Sequence, residues 1–114
     1  MKTYAQVVSL TDRQTIQEFA ADLKEEIGDN LEEIKLFGSY ATNEYVPGSD
    51  VDVLVLVENT EELDKKGVWT IAEEYSHRED VPFRPKVFEA QEFKRKLRQG
   101  YTFHTEVEDQ GIEI

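Results

Sequence analysis

The feature that most constrains this chain is the stretch from Phe37 to Val57, FGSYATNEYVPGSDVDVLVLV. It opens on Phe37 and the pair Gly38–Ser39, and ten residues separate this pair from Asp50 and Asp52. The apolar run after the two aspartates is rich in β-branched residues, which is typical of a strand that is covered on both faces. The stretch therefore predicts a buried strand, Asp50–Val57, with two carboxylates at its start.

The two aspartates predict a metal site. Successive side chains of a strand point to opposite faces, so Asp50 and Asp52 share one face, roughly 6.6 Å apart along the chain. Charges at the end of a buried strand are costly unless they are paired or bind a metal. Mg²⁺ is commonly held by one or two carboxylates together with substrate phosphates. We therefore expect Asp50 and Asp52 to bind Mg²⁺.

The Gly-Ser pair predicts a phosphate site close to these carboxylates. A strand predicted over Leu31–Phe37 ends at Gly38, and a glycine lets a phosphate approach the backbone closely. The Ser39 hydroxyl and the amides of a following helix start are candidate phosphate ligands, and Ser49 is a further candidate nucleotide-binding residue. A Gly-Ser turn alone is ordinary in loops, and a pair of aspartates alone is ordinary surface. Their combination favours nucleotidyl or phosphoryl transfer.

The pattern GS-x10-DxD resembles that of the nucleotidyltransferase superfamily that includes DNA polymerase β. The chain is most similar to the minimal nucleotidyltransferases (MNT proteins), which are often paired with HEPN proteins. This resemblance implies an α/β fold with a small mixed sheet and helices mainly on one face, and the length fits one domain over residues 1–114.

The resemblance also implies a mechanism. Gly38 and Ser39 would hold the β- and γ-phosphates of ATP, and Asp50 and Asp52 would be the catalytic residues and hold two Mg²⁺ ions. A hydroxyl would then attack the α-phosphate. Antitoxin members of the MNT group place AMP on a tyrosine of a HEPN toxin, so a HEPN-type partner in trans is the leading expectation for the acceptor.

Two departures from the family pattern affect this expectation. MNT proteins commonly carry Ala-Arg-Gly where this chain has Ala41–Asn43. The superfamily also commonly takes a third carboxylate from the strand beside the two aspartates, whereas the third predicted strand, Val81–Phe88, contains two basic residues and no acid. Asp80 and Glu89, which flank it, are the candidate third carboxylates. The second departure leaves catalytic activity open.

Three other functions stay open. One is a small-molecule transferase, such as those that modify antibiotics, although such enzymes usually carry an extra helical domain. The second is a non-catalytic antitoxin that masks its partner, and the third is a nucleotide-binding regulatory subunit. The absence of a third acid favours masking, whereas the intact Asp50 and Asp52 favour catalysis.

The composition excludes some kinds of site and disfavours some binding partners. Asp and Glu number 25 against 13 Lys and Arg, for a net charge of −12, which does not favour direct binding of nucleic acid. The chain has no cysteine, which excludes disulfides and thiolate metal sites. No stretch looks long and apolar enough to span a membrane, and no signal pattern opens the chain, so we expect a cytoplasmic location.

The flanking segments predict helices. Thr11 and Gln14 predict a capping box for a helix that ends at Gly28, and Asn59 or Thr60 is predicted to cap the next helix. A helix over residues 90–99 carries a basic face, which either complements its own carboxyl end or docks a partner or steers phosphates; this face consists of Lys94, Arg95, Lys96 and Arg98. Tyr4, Val7 and Val8 either pack on the core or extend a sheet edge.

Overall fold

A computed structural model describes residues 11–114 of this chain. The predicted contribution of residues 4–8 lies outside the described residues. Over residues 11–114 the chain forms five α-helices and four strands, with short 3-10 turns at 28–30 and 60–62. In chain order these elements are α1 (Arg13–Ile27), β1 (Leu31–Phe37), α2 (Ser39–Thr42), β2 (Val51–Val57), α3 (Lys65–Glu79), β3 (Phe83–Glu89), α4 (Ala90–Arg98), α5 (Thr102–Gln110) and β4 (Ile112–Glu113).

The strands form one mixed sheet in the order β3-β2-β1-β4. β1 runs antiparallel to β2 and to β4, whereas β2 runs parallel to β3. The end of β1 and the starts of β2 and β3 therefore meet at one end of the sheet. The register there places Phe37 and Arg84 on either side of Asp52.

The central strand β2 is packed on both faces, as the sequence predicts. Its valines 51, 53, 55 and 57 lie in a core with residues of α1 and α3, whereas Leu54 and Leu56 pack with residues of α4 and α5. Each fully buried Val or Leu contributes about 1.5–3 kcal/mol by leaving water. The predicted mixed sheet is confirmed: its two longest helices share one face, and the shorter α4 and α5 cover part of the other.

The start of α1 differs from the sequence prediction. Asp12 caps this helix, because its Oδ1 accepts a hydrogen bond of 2.8 Å from the Thr15 N–H. Thr11, the predicted cap, instead donates its hydroxyl to Glu79 Oε1 at 3.0 Å. The predicted capping box is therefore wrong, and Thr11 joins the start of α1 to the end of α3. The predicted stop at Gly28 is confirmed, with a left-handed φ of 68°.

The helix after β2 also begins later than predicted. Asn59 caps only the 3-10 turn, where its Oδ1 accepts from the Glu61 N–H. Asp64 caps α3 by accepting from the Gly67 N–H at 3.0 Å. Each of the two acceptors thus begins an element of its own, and the exposed Asp64 begins the longer one.

Nearby acids partly neutralise the basic residues on α4. Lys94 Nζ lies 3.8 Å from Glu32 Oε1, and both Arg95 and Lys96 pair with Glu92. Glu32 lies near the start of β1, at the opposite end of the sheet from Asp52. Lys94 is therefore remote from the carboxylates at the other end. None of the helices within residues 11–114 has the length and apolar character needed to cross a membrane.

Candidate functional site

The predicted site residues meet at the end of the sheet where β1 ends and β2 begins. Gly38 and Ser39 follow β1 directly, Asp50 directly precedes β2, and Asp52 is the second residue of β2. Asp52 is the cross-strand partner of Phe37, the residue before Gly38. Antiparallel pairing thus brings together two parts of the motif that are ten residues apart in the chain.

Gly38 and Asp52 are in close contact. Gly38 has a φ of 79° and a ψ of −159°, a conformation that is essentially confined to glycine. A Cβ built on Gly38 would lie 2.7 Å from Asp52 Oδ2. Only a residue without a side chain lets the turn and the carboxylate approach this closely, so the glycine and the aspartate form one unit.

Asp50 forms an ion pair across the strands. Its Oδ2 lies 2.8 Å from Arg84 Nε, with 39% of the Asp50 side chain and 56% of the Arg84 side chain exposed. Arg84 lies on β3 directly beside Asp52. A basic side chain therefore occupies the strand position next to the two carboxylates.

Asp52 is a half-buried carboxylate in a crowded electrostatic environment. Burial raises the pKa of Asp52, and the neighbouring Asp50 raises it further, whereas Lys86 and Arg84 lower it. Desolvation and a nearby negative charge both disfavour the ionised form of a carboxyl group, whereas nearby positive charges favour it. A cation bound between the two aspartates would relieve this repulsion.

The donor set fits Mg²⁺. The two carboxylates offer hard oxygen ligands on one face, and Mg²⁺ commonly takes one or two such ligands and completes its shell with phosphates and water. Within residues 11–114 no cluster of three or more His, Cys, Asp or Glu side chains converges to form an all-protein metal cage. The remaining ligands would therefore have to come from the nucleotide and the solvent.

Ser39 and Ser49 lie on either side of the loop that precedes β2. Ser39 begins the one-turn helix α2, and its hydroxyl has no hydrogen-bond partner among residues 11–114, which leaves it available to a ligand. The Ser49 Oγ accepts a hydrogen bond of 2.9 Å from the Val46 N–H, and its own hydroxyl proton remains available. Asn43, at the position of the family glycine, adopts a left-handed φ of 64°, which asparagine tolerates well.

The two candidate third carboxylates have very different positions. Glu89 is the partner of Val57, five residues beyond Asp52 along β2, which corresponds to about 16 Å. Asp80 precedes β3 at the near end of the sheet and lines, with Arg84, a cavity of about 570 Å³. The register does not bring Glu89 to the site, whereas Asp80 lies at the correct end of the sheet.

The structure has a cleft next to Gly38 that the sequence motif does not predict. It has a volume of about 240 Å³ and is lined by residues from the end of β1 and from α5. Among its walls are Phe103, Glu106 and Gln110, and the Phe103 ring packs edge-on against Phe37. No local pattern in the sequence indicates these residues, because their position depends on how α5 packs against β1.

The role of Arg84 is the main point that sequence reasoning missed. The strand segment shows two basic residues where an acid is expected, but only the tertiary structure reveals that Arg84 lies beside Asp52 and pairs with Asp50. The alternation of buried Phe83 and Pro85 with exposed Arg84 and Lys86 is the signal that could have assigned both cations to one face of the strand.

Comparison with known proteins places this geometry in context. A model of the family "Nucleotidyltransferase domain" matches residues 16–106, which include both halves of the motif. A protein of Methanocaldococcus jannaschii with the name "Putative protein adenylyltransferase" is 36% identical over 100 residues, covering 87% of this chain and 94% of that protein.

Solved structures with a similar fold come from toxin–antitoxin complexes. A chain in a crystal structure of a toxin–antitoxin with AMP-PNP is 26% identical with a TM-score of 0.60, over 90% of this chain and 72% of the other. A chain from the tri-AMPylated Shewanella oneidensis HEPN toxin in complex with MNT antitoxin has a TM-score of 0.55 at 24% identity, over 89% of this chain and 69% of the other. The second likeness shows the fold alone.

Proposed function

This chain belongs to the nucleotidyltransferase domain family and has the polymerase β-like fold of the MNT structures, and from this premise we propose that it transfers AMP from ATP to a hydroxyl of a partner protein. The observation that carries the proposal is the contact between Gly38 and Asp52, in which a Cβ would lie 2.7 Å from the carboxylate oxygen. This contact supports the proposal because it brings the turn to which we assign the phosphates directly against Asp52, one of the two carboxylates.

The phosphate groups are assigned to the turn after β1. Gly38 lets a phosphate oxygen approach the backbone, and the Ser39 hydroxyl donates a hydrogen bond to the distal phosphates. Ser49, whose proton is available, donates to the nucleotide from the other side of the loop. These donors hold the triphosphate so that its α-phosphorus faces the acceptor, and such positioning supplies a large part of the rate in transfer reactions.

Asp50 and Asp52 are the residues that would hold Mg²⁺. The bound metal would supply positive charge to the attacking and the leaving oxygen. The acceptor oxygen forms a bond to the α-phosphorus while the bond to the bridging oxygen breaks, and pyrophosphate leaves. Asp80, at the same end of the sheet, is assigned as the base that takes the acceptor proton.

The acceptor is proposed to be a tyrosine of a HEPN-type toxin, which makes this chain an antitoxin. Support comes from the similar structures, which are toxin–antitoxin complexes, one of them with a tri-AMPylated HEPN toxin. The acidic surface of this chain fits a protein acceptor better than a nucleic acid.

The test is a transfer assay with three components. Purified protein, Mg²⁺ and ATP labelled at the α-phosphate are incubated with the HEPN-type protein encoded next to this chain, and label on the partner is measured. We expect labelling with the parent and none with the double variant Asp50→Asn, Asp52→Asn. Bound ATP without label on any protein would contradict the transfer reaction.

A second function is favoured by the position of Arg84. A cation beside Asp52, where the family places an acid, suits a protein that binds a nucleotide without turning it over and masks its partner, as an antitoxin or a regulatory subunit. Measurement of toxin activity beside the labelling assay separates the two functions, because masking predicts inhibition of the toxin by the double variant as well as by the parent.

A further inference from the structure

The carboxylates have a basic flank, although the chain carries a net charge of −12. Arg84 and Lys86 lie on β3 beside Asp52 and Leu54 of β2. Both cations are exposed, while the residues that alternate with them are buried. Because alternate residues of a strand share a face, both cations lie on the face of Asp52. A phosphate approaching this acidic protein meets positive charge at this flank.

The contact of Arg84 with Asp50 leaves most of the guanidinium available. It is made by Nε at 2.8 Å, whereas a guanidinium carries five N–H donors in a planar fork. Among residues 11–114, Asp50 is the ion-pair partner of Arg84. Exposed ion pairs are weak, and this one has half-exposed side chains on both sides. Arg84 can therefore exchange Asp50 for another anion at little cost.

We propose, on the basis of the proposed function, that Arg84 is a phosphate-positioning residue of this site, which neutralises Asp50 before the nucleotide binds and turns to the phosphates when a divalent cation takes Asp50. The physical reason is competition, since the guanidinium and the cation require the same carboxylate. Arginine matches phosphate with two parallel hydrogen bonds, so the released side chain gains a better partner. Lys86, two residues further along the same face, adds a second positive charge.

The alternative is a purely structural ion pair that ties β3 to the loop before β2. The two roles predict opposite effects of losing Arg84 on the affinity for the metal. A structural pair supports the site, so its loss weakens the binding of metal and of nucleotide alike. A competing, phosphate-binding arginine hinders the metal and helps the nucleotide, so its loss moves the two affinities in opposite directions.

The experiment compares Arg84→Gln with Lys94→Gln. Lys94 is a matched control, because it is 55% exposed, pairs with a carboxylate, Glu32, at 3.8 Å, and lies at the opposite end of the sheet. Each change removes one exposed, paired positive charge. Mn²⁺ alone is titrated by electron paramagnetic resonance, and Mg²⁺-ATP and Mg²⁺-tripolyphosphate by calorimetry. A third variant, Arg84→Lys, keeps the charge without the planar fork.

We expect Arg84→Gln to bind Mn²⁺ several-fold more tightly and to bind both triphosphates on the order of tenfold more weakly, the usual effect of losing a hydrogen bond to a charged group. Arg84→Lys should fall between Arg84→Gln and the parent for the triphosphates, and Lys94→Gln should match the parent in each titration. Weaker binding of both metal and triphosphate in Arg84→Gln would overturn the proposal, and so would unchanged triphosphate binding.

These titrations, together with the transfer assay, separate this inference from the proposed function. If the parent binds Mg²⁺-ATP through Asp50 and Asp52 and Arg84→Gln binds it equally well, the inference alone is wrong. If Arg84→Gln shows the opposite shifts while no protein is ever labelled, the inference is supported and the transfer reaction is wrong. A parent that binds no Mg²⁺-triphosphate overturns both.

Discussion

Gly38 and Asp52 approach each other so closely that a Cβ on the glycine would lie 2.7 Å from the Asp52 Oδ2. The turn that is assigned to the phosphates and the carboxylate that is assigned to the metal are therefore adjacent through space. Any side chain at position 38 must displace one of them, so the geometry of the two groups is coupled.

The first prediction concerns this contact. Gly38→Ala should destabilise the fold by about 1–3 kcal/mol, the usual cost of a residue forced into a conformation reserved for glycine, and should also abolish ATP binding. Gly48→Ala is the matched control, because Gly48 also has a positive φ, 93°, but no atom within 4 Å of the added Cβ. Urea denaturation and calorimetric titration measure both effects. Equal ATP affinity in the two variants would show that the contact does not shape the site.

The second prediction tests the metal ligands. The double variant Asp50→Asn, Asp52→Asn should lose Mg²⁺-dependent ATP binding and remain folded, because the carboxylates repel each other and do not hold the core together. Calorimetry measures the binding and circular dichroism the fold. Asp29→Asn, an exposed change in the turn before β1, controls for the loss of negative charge. Unchanged Mg²⁺-ATP affinity in the double variant would rule out this metal site.

The third prediction is a pH dependence of stability without metal. Because burial and Asp50 raise the pKa of Asp52 above its ordinary 3.8, the folded state holds this proton more tightly than the unfolded state. Ionisation of Asp52 therefore lowers stability as pH rises from 3.8 through the raised pKa, and the full cost persists above it. Asp52→Asn should be more stable than the parent at pH 7, in a chelator.

This difference should shrink as the pH falls towards 3.8, where Asp52 is protonated in the parent as well. Denaturant midpoints across the acidic range provide the measurement, with Asp29→Asn as the control at an exposed site. A stability difference that does not change with pH would mean that the charge on Asp52 has no effect on folding.

The fourth prediction assigns Ser39 to the distal phosphates. Ser39→Ala should weaken ATP binding about tenfold or more, since a hydrogen bond to a charged group contributes about 1.5–3 kcal/mol. AMP lacks the distal phosphates, and its affinity should hardly change. The AMP titration is the internal control. Equal losses for ATP and AMP would place the Ser39 hydroxyl away from the distal phosphates.

The fifth prediction concerns the proton acceptor. Asp80→Asn should slow AMP transfer by roughly 10²- to 10⁴-fold, the usual contribution of a general base. Asparagine suits the left-handed φ of 56° at position 80, so the fold should be preserved. Glu89→Gln is the matched control, since Glu89 lies beside Val57. Full transfer by Asp80→Asn would assign the base to the acceptor protein instead.

Much of the fold and the core of the candidate site could be predicted from local patterns. The bounds of β1 match the prediction, and β2 begins one residue later than expected. The prediction of β2 succeeds because an apolar, β-branched run is typical of a buried strand. The same run predicted that Asp50 and Asp52 share a face at its start. The spacing of the Gly-Ser pair from the aspartates identified the family.

The start of a helix was decided by competition that the sequence leaves open. Thr11 and Asp12 can both cap α1, and the choice fell to Asp12 because Thr11 finds a partner in Glu79. Likewise Asn59 and Asp64 can both cap a helix, and in the structure Asn59 caps the short 3-10 turn whereas Asp64 caps α3. A cap depends on what lies next to it in space, so its neighbours in the chain do not determine it.

By itself, the sequence determined the motif, the central strand and the shared face of its two carboxylates, because these depend on neighbours within a few residues. Only the tertiary structure decided which side chains from other strands reach that site. The parallel register of β3 sets Arg84 beside Asp52 and leaves Glu89 beside Val57. Register depends on how β3 and its flanking helices pack against the sheet, and no local pattern encodes a contact between residues that are more than 30 positions apart.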